Sequence, residues 1–221
     1  FIDSYEKNIA LSITWYGGEP LMNFDSIERC WDRITKMGFK NISHSIITNG
    51  YLLNEKVSEY FSKNPLSTVQ VTLDGRERRH DKRRKLKNGQ GSYQRILKNI
   101  ARFFEINANN DTQVHIRVNL DKTNLEEFPE VHNALSSISE RVWVYPAFVQ
   151  DNTDNCSIQS LTCGNEVRFD FYKKIYEEHK IPVNFYPSFA VGGCGATVQN
   201  SFVVGPNGDL YKCWHDIGDS T

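Results

Sequence analysis

Thr14-Trp15-Tyr16-Gly17-Gly18-Glu19-Pro20 closes an apolar run that begins at Ile9. Ile9–Tyr16 reads as a β-strand, and the residues after it as the turn that ends it. Pro20 cannot donate to a sheet ladder, so it stops the strand and fixes the turn. Gly17 and Gly18 have no Cβ, which lets the backbone approach a ligand closely. Glu19 then offers a carboxylate to an amine or a sugar hydroxyl. A plain strand-end turn uses the same residues, so the rest of the chain has to decide between the two readings.

Outward from that stretch, strands and helices alternate. Phe24–Lys36 reads as a helix with Asp25 near its start, Ile42–Thr48 as a strand, and Asn54–Ser62 as a helix capped by Asn54. Thr68–Leu73 is a β-rich run, and Ser92–Ile106 places Ile96, Leu97, Ile100, Phe103 and Phe104 at helical spacing. Val114–Leu120 is a strand, Leu125–Ser137 a helix, Val142–Phe148 a strand and Val167–Lys180 a long amphipathic helix. Five strand–helix units in alternation predict an α/β fold, with a closed or nearly closed parallel sheet and helices outside. From Pro182 the pattern changes to short strands punctuated by Gly and Pro, with a β-hairpin turn at Pro206-Asn207-Gly208-Asp209. Residues 182–221 are therefore read as a separate small module.

In a parallel α/β sheet, ligands bind where the strands end. The strands end in Gly17-Gly18-Glu19-Pro20, Thr48-Asn49-Gly50, Asp74-Gly75 and Asn119-Leu120-Asp121, and the fifth carries Tyr145-Pro146. Each is ordinary turn chemistry taken alone; together they predict one polar mouth at one edge of the sheet. The chain has 221 residues, with 26 Lys and Arg against 27 Asp and Glu. That balance argues against nucleic acid or an anionic membrane surface as its main partner. Its apolar runs fall far short of the ~20 residues of a membrane span. Five cysteines without a regular framework point to a reducing compartment, and so to a cytoplasmic location, with thiols as ligands or core.

The arrangement resembles the radical S-adenosylmethionine (SAM) enzymes, in the branch with a C-terminal SPASM or twitch extension. The resemblance rests on Gly17-Gly18-Glu19-Pro20, Thr48-Asn49-Gly50 and Val71-Thr72-Leu73-Asp74-Gly75. It continues through His80-Asp81-Lys82-Arg83-Arg84 and Gly91-Ser92-Tyr93, which look much like anaerobic sulfatase maturases and other peptide-modifying maturases. It implies a partial (β/α)6 barrel over residues 1–181, whose first strand would lie upstream of Phe1, and the first half of a SPASM or twitch domain over 182–221. Glu19 would take the methionyl ammonium of SAM, Asn49 and Asn119 the ribose or the methionyl end, and Arg84 the methionyl carboxylate. Gly17, Gly18, Pro20 and Thr48 would frame that site.

The resemblance also implies a [4Fe–4S] cluster on a CxxxCxxC loop, and no such triplet occurs among Cys30, Cys156, Cys163, Cys194 and Cys213. With Glu19 kept, truncation is the expected reason; evolved loss, leaving a cluster-free binding protein, is the alternative. Cys194 and Cys213 bracket the hairpin as C-x13-G-x4-C, which fits two ligands of an auxiliary iron–sulfur cluster. A zinc site with His215, or no metal at all, are the other readings of the pair. Cys30 is expected in the core, Cys156 and Cys163 in a polar linker, and Arg76 to Lys87 in a solvated loop with one functional arginine. His80 belongs to the family string, and the remaining histidines show no pairing in the sequence.

The activity so implied is electron transfer to SAM from an external donor by way of the cluster, giving a 5′-deoxyadenosyl radical that modifies a peptide or protein side chain. Thioether or carbon–carbon bond formation in a ribosomal peptide is preferred over sulfatase maturation, because Trp214 follows Cys213 where sulfatase maturases place an Asp. A non-catalytic barrel that binds a peptide or SAM is the reading from a different class.

Overall fold

The structure, a computed structural model, describes residues 2–150, 159–182 and 194–217. These fall into two compact units, Phe1–Lys173 and Lys174–Thr221. In the first unit β1 (Ala10–Trp15), β2 (Asn41–Thr48), β3 (Thr68–Leu73), β4 (Gln113–Leu120) and β5 (Val142–Phe148) pair in parallel, in chain order. Each is preceded or followed by helix: α1 (Phe24–Thr35), α2 (Glu55–Lys63), α3 (Glu77–Arg83), α4 (Tyr93–Ile106), α5 (Phe128–Ser136) and α6 (Asn165–Glu177). The five-strand parallel α/β reading holds. The sheet does not close on itself among the described residues: β1 and β5 are its two edges.

Chain order decides which face is covered. Parallel strands joined by right-handed crossovers that always step the same way put every helix on one side of the sheet. The burial pattern obeys this. Val114, Ile116, Val118 and Leu120 of β4 and Val69, Val71 and Leu73 of β3 are fully buried, and they meet a core built from the helices. That core includes Phe24, Ile27 and Trp31 of α1, Val57 and Phe61 of α2, Ile96, Ile100 and Phe103 of α4, and Val131 and Leu135 of α5. The alternate residues stay partly exposed on the opposite face (His115, Arg117 and Asn119 on β4; Gln70 and Thr72 on β3) or exposed (Ser12 and Thr14 on β1). A parallel sheet in an α/β protein is ordinarily covered on both faces and apolar throughout, so this polar face is a departure that needs a use.

Cys30 is not in the core. α1 buries Phe24, Ile27 and Trp31, and Cys30 lies about 100° round the helix from Trp31, exposed. Cys163 is buried, and burial pushes its thiol up; Cys156 lies outside the described residues. Leu125–Ser137 divides into a 3-10 turn over Leu125–Glu127 and α5, where Pro129 is at the start and needs no N–H partner. The expected basic loop is helix α3, and its arginines are engaged as described below. Among the described residues, no helix is long and apolar enough to cross a membrane.

In the second unit β6 (Val203–Val204) and β7 (Leu210–Tyr211) pair antiparallel, shorter than the sequence suggests. Gly208 has φ +89°, a conformation that favours glycine, and Gly205 N–H donates to the Asp209 carbonyl across the turn (2.8 Å).

His44 also departs from the sequence reading, since it is partnered. Its ring stacks on Trp31 of α1, with centroids 3.6 Å apart. The indole N–H of Trp15 donates to Nδ1 (3.1 Å), so Nε2 carries the proton and donates to the Asn64 carbonyl (3.1 Å). Burial lowers the pKa to about 4. Because the folded value lies below the unfolded one (~6.5), stability from neutral His44 is complete above pH ~6.5 and is lost as pH falls towards 4, by roughly 3 kcal/mol in all. We expect the thermal midpoint to fall steeply between pH 6.5 and 4, and a His44→Gln variant to fall less over that range; parallel slopes in a melting series would refute the assignment.

Candidate functional site

Glu19 leaves β1 in an extended conformation and caps the 3-10 turn Pro20–Asn23. Its Oε1 accepts from the Leu21 N–H (3.1 Å) and the Thr48 hydroxyl (2.6 Å), and its Oε2 accepts from the Asn49 N–H (2.7 Å). One carboxylate thus ties the turn after β1 to the turn after β2. Thr48 is buried, and its Oγ1 also accepts from the Gly50 N–H (3.1 Å). The Asn49 side chain accepts from the Tyr51 N–H (2.8 Å). Gly50 has φ +77°, and a Cβ there would sit 3.0 Å from both Val71 Cγ1 and Ile96 Cγ2, so the turn has no room for a side chain. Gly17, at φ +146°, and Gly18 border open space.

All three donors to Glu19 are neutral, and among the described residues no Lys, Arg or His forms an ion pair with it. A carboxylate has about four acceptor positions, and here three are used. A half-buried anion held in place, with capacity left and no counter-cation, fits an ammonium group.

The second node is Asp74, at the end of β3. Arg84 binds it through Nε (2.6 Å to Oδ2) and more distantly through Nη2 (3.5 Å to Oδ1), and the Asn119 amide N–H donates to Oδ1 (2.8 Å). The sequence pointed to Arg84 and Asn119 separately and to Asp74 as part of the polar mouth; the structure joins the first two to Asp74. His80, fully buried, holds the same residue from behind: its Nδ1 accepts from the Asp74 N–H (3.3 Å). Ser92 gives its hydroxyl proton to the Arg84 carbonyl (3.2 Å), so it accepts from His80 Nε2 (3.0 Å), and the ring is neutral. Burial lowers the His80 pKa, in the same sense. Asp81 accepts from the Ser92 and Tyr93 N–H groups (2.8 and 3.0 Å) and so caps α4. Gly91 is required because a Cβ there would land on the Asp81 carboxylate.

Four arginines of the basic run are paired with carboxylates: Arg76 with Glu130, Arg79 with Glu127, Arg83 with Asp121 and Arg84 with Asp74. Burial opposes ionisation of Asp121, but bonds from Thr123 and Arg83 outweigh it and hold the carboxyl below its ordinary range. The run is a docking strut for the β4–α5 loop, with little free charge at those four positions.

Cys194 is exposed and Cys213 half-buried in the second unit. Among the described residues no three His, Cys, Asp or Glu side chains gather closely enough to hold a metal, so two thiols alone fall short of the four ligands an iron–sulfur cluster takes. Lys212 braces that unit, donating to the carbonyls of Val198, Gln199 and Ser201.

The family model described as the Radical SAM superfamily matches residues 2–135, more than half of the chain. This chain belongs to the radical SAM superfamily. The radical SAM cyclopropyl synthase TigE of Paramaledivibacter caminithermalis is 32% identical over 122 residues, 55% of this chain and 24% of the relative. The cysteine-type anaerobic sulfatase-maturating enzyme of Clostridium novyi is 35% identical over 92 residues, 40% of this chain and 24% of the relative. The radical SAM chain thus spans about a quarter of the length of these curated relatives. Streptococcus suis SuiB bound to S-adenosylmethionine shares the fold at TM-score 0.64 and 18% identity, over 96% of this chain and 51% of that one.

Asp74→Asn would leave the Arg84 guanidinium without its counter-charge and Asn119 with a competing amide. We expect a loss of about 1–3 kcal/mol in urea unfolding, with the far-ultraviolet dichroism retained. An unchanged midpoint would remove Asp74 from the centre of the network.

Proposed function

We propose that this chain is the SAM-binding barrel segment of a radical maturase that modifies a peptide or protein side chain, forming a thioether, a carbon–carbon link or a related bond in a ribosomal peptide. The observation behind it is the Glu19 carboxylate, oriented by three neutral donors and lacking a cation. When bound, SAM would supply a hydrogen-abstracting radical after one-electron reduction by an external donor. The chain's own part is positional. Glu19 takes the methionyl ammonium with no rearrangement, since Leu21, Thr48 and Asn49 already hold it. Gly17 and Gly18 leave the space beside it open, Pro20 holds the turn, and Asn49 would contact the ribose or the methionyl end. Arg84, aimed by Asp74, clamps the methionyl carboxylate with the donors that Asp74 leaves, and Asn119 steadies Asp74.

Cys194 and Cys213 belong to this reading as two thiolates of an auxiliary cluster, supported by their places on either side of the β6–β7 hairpin. No step is routed through a cluster, because the described residues do not complete a ligand set. Sulfatase maturation is the second reading. The likeness to the C. novyi enzyme supports it, and Trp214 in place of an acid after Cys213 weighs against it. Location in the cytoplasm and a peptide partner are part of the same proposal, supported by thiol usage and by the maturases among the relatives.

The test is 5′-deoxyadenosine release from SAM by an anaerobically reconstituted form that includes this chain and a CxxxCxxC loop. Release is expected, and Glu19→Gln should weaken SAM binding by roughly ten- to a hundred-fold in calorimetry. A folded, cluster-loaded protein that releases none would overturn the enzyme reading in favour of an accessory binding barrel.

A further inference from the structure

Among the described residues, the face of the sheet away from the helices carries a cation that the site above does not use. Arg117 of β4 donates through Nε to the Asn119 side-chain oxygen (3.2 Å). Asn119 in turn donates to Asp74, so its amide can face only one way: oxygen to the guanidinium, nitrogen to the carboxylate. Among the described residues Arg117 forms no ion pair, in contrast to Arg76, Arg79, Arg83 and Arg84. Its Nε is occupied, which leaves the pair of terminal nitrogens as the free fork, a geometry that matches a carboxylate in bidentate contact.

The neighbours are polar and neutral. Arg117 is in register with Thr72 on one side and Tyr145 on the other. The Tyr145 hydroxyl donates to Gln70 Oε1 (3.0 Å). Burial pushes the Tyr145 phenol up while the Arg117 charge pulls it the other way, as expected of adjacent groups. A half-buried cation beside neutral register neighbours, on a face that no helix among the described residues covers, calls for an anion from outside.

We infer that Arg117, held by Asn119, is a specificity residue that recognises a carboxylate of the substrate peptide, an Asp or Glu side chain near the residue to be modified. This rests on the maturase reading for its substrate class. The peptide is favoured over SAM as the source of the carboxylate. The amine and carboxylate of one methionyl group share a single carbon, whereas Glu19 follows β1 and Arg117 lies on β4, three strand spacings or ~14 Å across the sheet. Arg117 is also tethered to its own strand by Asn119, two residues deeper in the face than the polar mouth. Arg84, one strand nearer to Glu19, is better placed for the methionyl carboxylate.

The test uses the full chain and the Arg117 Nε–Hε signal in nitrogen-15 NMR, assigned by its loss in Arg117→Lys. Two probes are titrated, N-acetyl-glutamate N-methylamide and its glutamine counterpart. The glutamate probe should shift the signal saturably and bind roughly ten-fold more tightly than the glutamine probe. Arg117→Gln, folded by circular dichroism, should abolish that preference. Equal response to the two probes overturns the proposal, as does a folded Arg117→Gln variant that keeps the preference, or loss of the glutamate response of the unaltered chain in saturating SAM, which would assign the anion to the methionyl group. The two-probe comparison on the unaltered chain stands even if Arg117→Gln fails to fold. Failure of the maturase reading shows separately, as absent 5′-deoxyadenosine with the glutamate preference intact.

Discussion

The described helices of the first unit pack on one side of its sheet because five parallel strands follow one another in chain order. That constraint divides the chain chemically. Residues on one face of each strand meet helices and are mostly apolar, with His44 and Thr48 of β2 the hydrogen-bonded exceptions; residues on the other meet water or a ligand and need not be. The alternation in β4, with Val114, Ile116, Val118 and Leu120 buried and His115, Arg117 and Asn119 between them, is the direct imprint of one-sided winding. The Glu19 and Asp74 nodes and the Arg117 fork all lie on that open face or on the turns at its rim.

Carboxylates do most of the positioning at that rim. Glu19 joins the turns after β1 and β2, Asp74 joins Arg84 and Asn119, and Asp81 caps α4 beneath them. Each sits where a neutral or cationic donor satisfies it, so the turns are held by short bonds and not by hydrophobic cover, which turns on the solvent side lack. The difference between the two nodes is instructive. Asp74 has its cation within the chain and is therefore structural in the first instance. Glu19 has donors but no cation, and it keeps capacity for a charged guest. That contrast is the physical ground for reading Glu19 as the ligand residue and Asp74 as the group that aims Arg84.

The helix α3 shows how a basic run can be almost silent electrostatically. Arg76, Arg79, Arg83 and Arg84 are spent on Glu130, Glu127, Asp121 and Asp74, three of them on the segment from β4 to α5. The run therefore fastens two loops to each other at the rim of the site. Its order along the chain gave no hint of this, because the partners lie 38 to 54 residues away for all but Arg84.

Much of the fold and the Glu19 half of the site could be read from the chain by itself. The strand–helix alternation, the Asn54 cap and the extents of Thr68–Leu73 and Val142–Phe148 depend on local periodicity and turn chemistry, which are properties of neighbours in sequence. Gly17-Gly18-Glu19-Pro20 and Thr48-Asn49-Gly50 were legible for the same reason: a strand end, a required glycine and a polar residue leave a local signature. What the sequence did not disclose were pairings across the fold. Cys30 looked like core until the helix phase turned it outward; His44 looked unpartnered until β2 was laid under Trp31 and beside Trp15. Asp74 became a node, and Arg117 a free cation, only once β3 and β4 were set in register. Sequence determined which segments are strands and helices and where they turn, because those follow from short-range sterics and hydrophobic period. The tertiary structure decided which charges are neutralised and which remain, because an ion pair is a distance in space and the chain records only order.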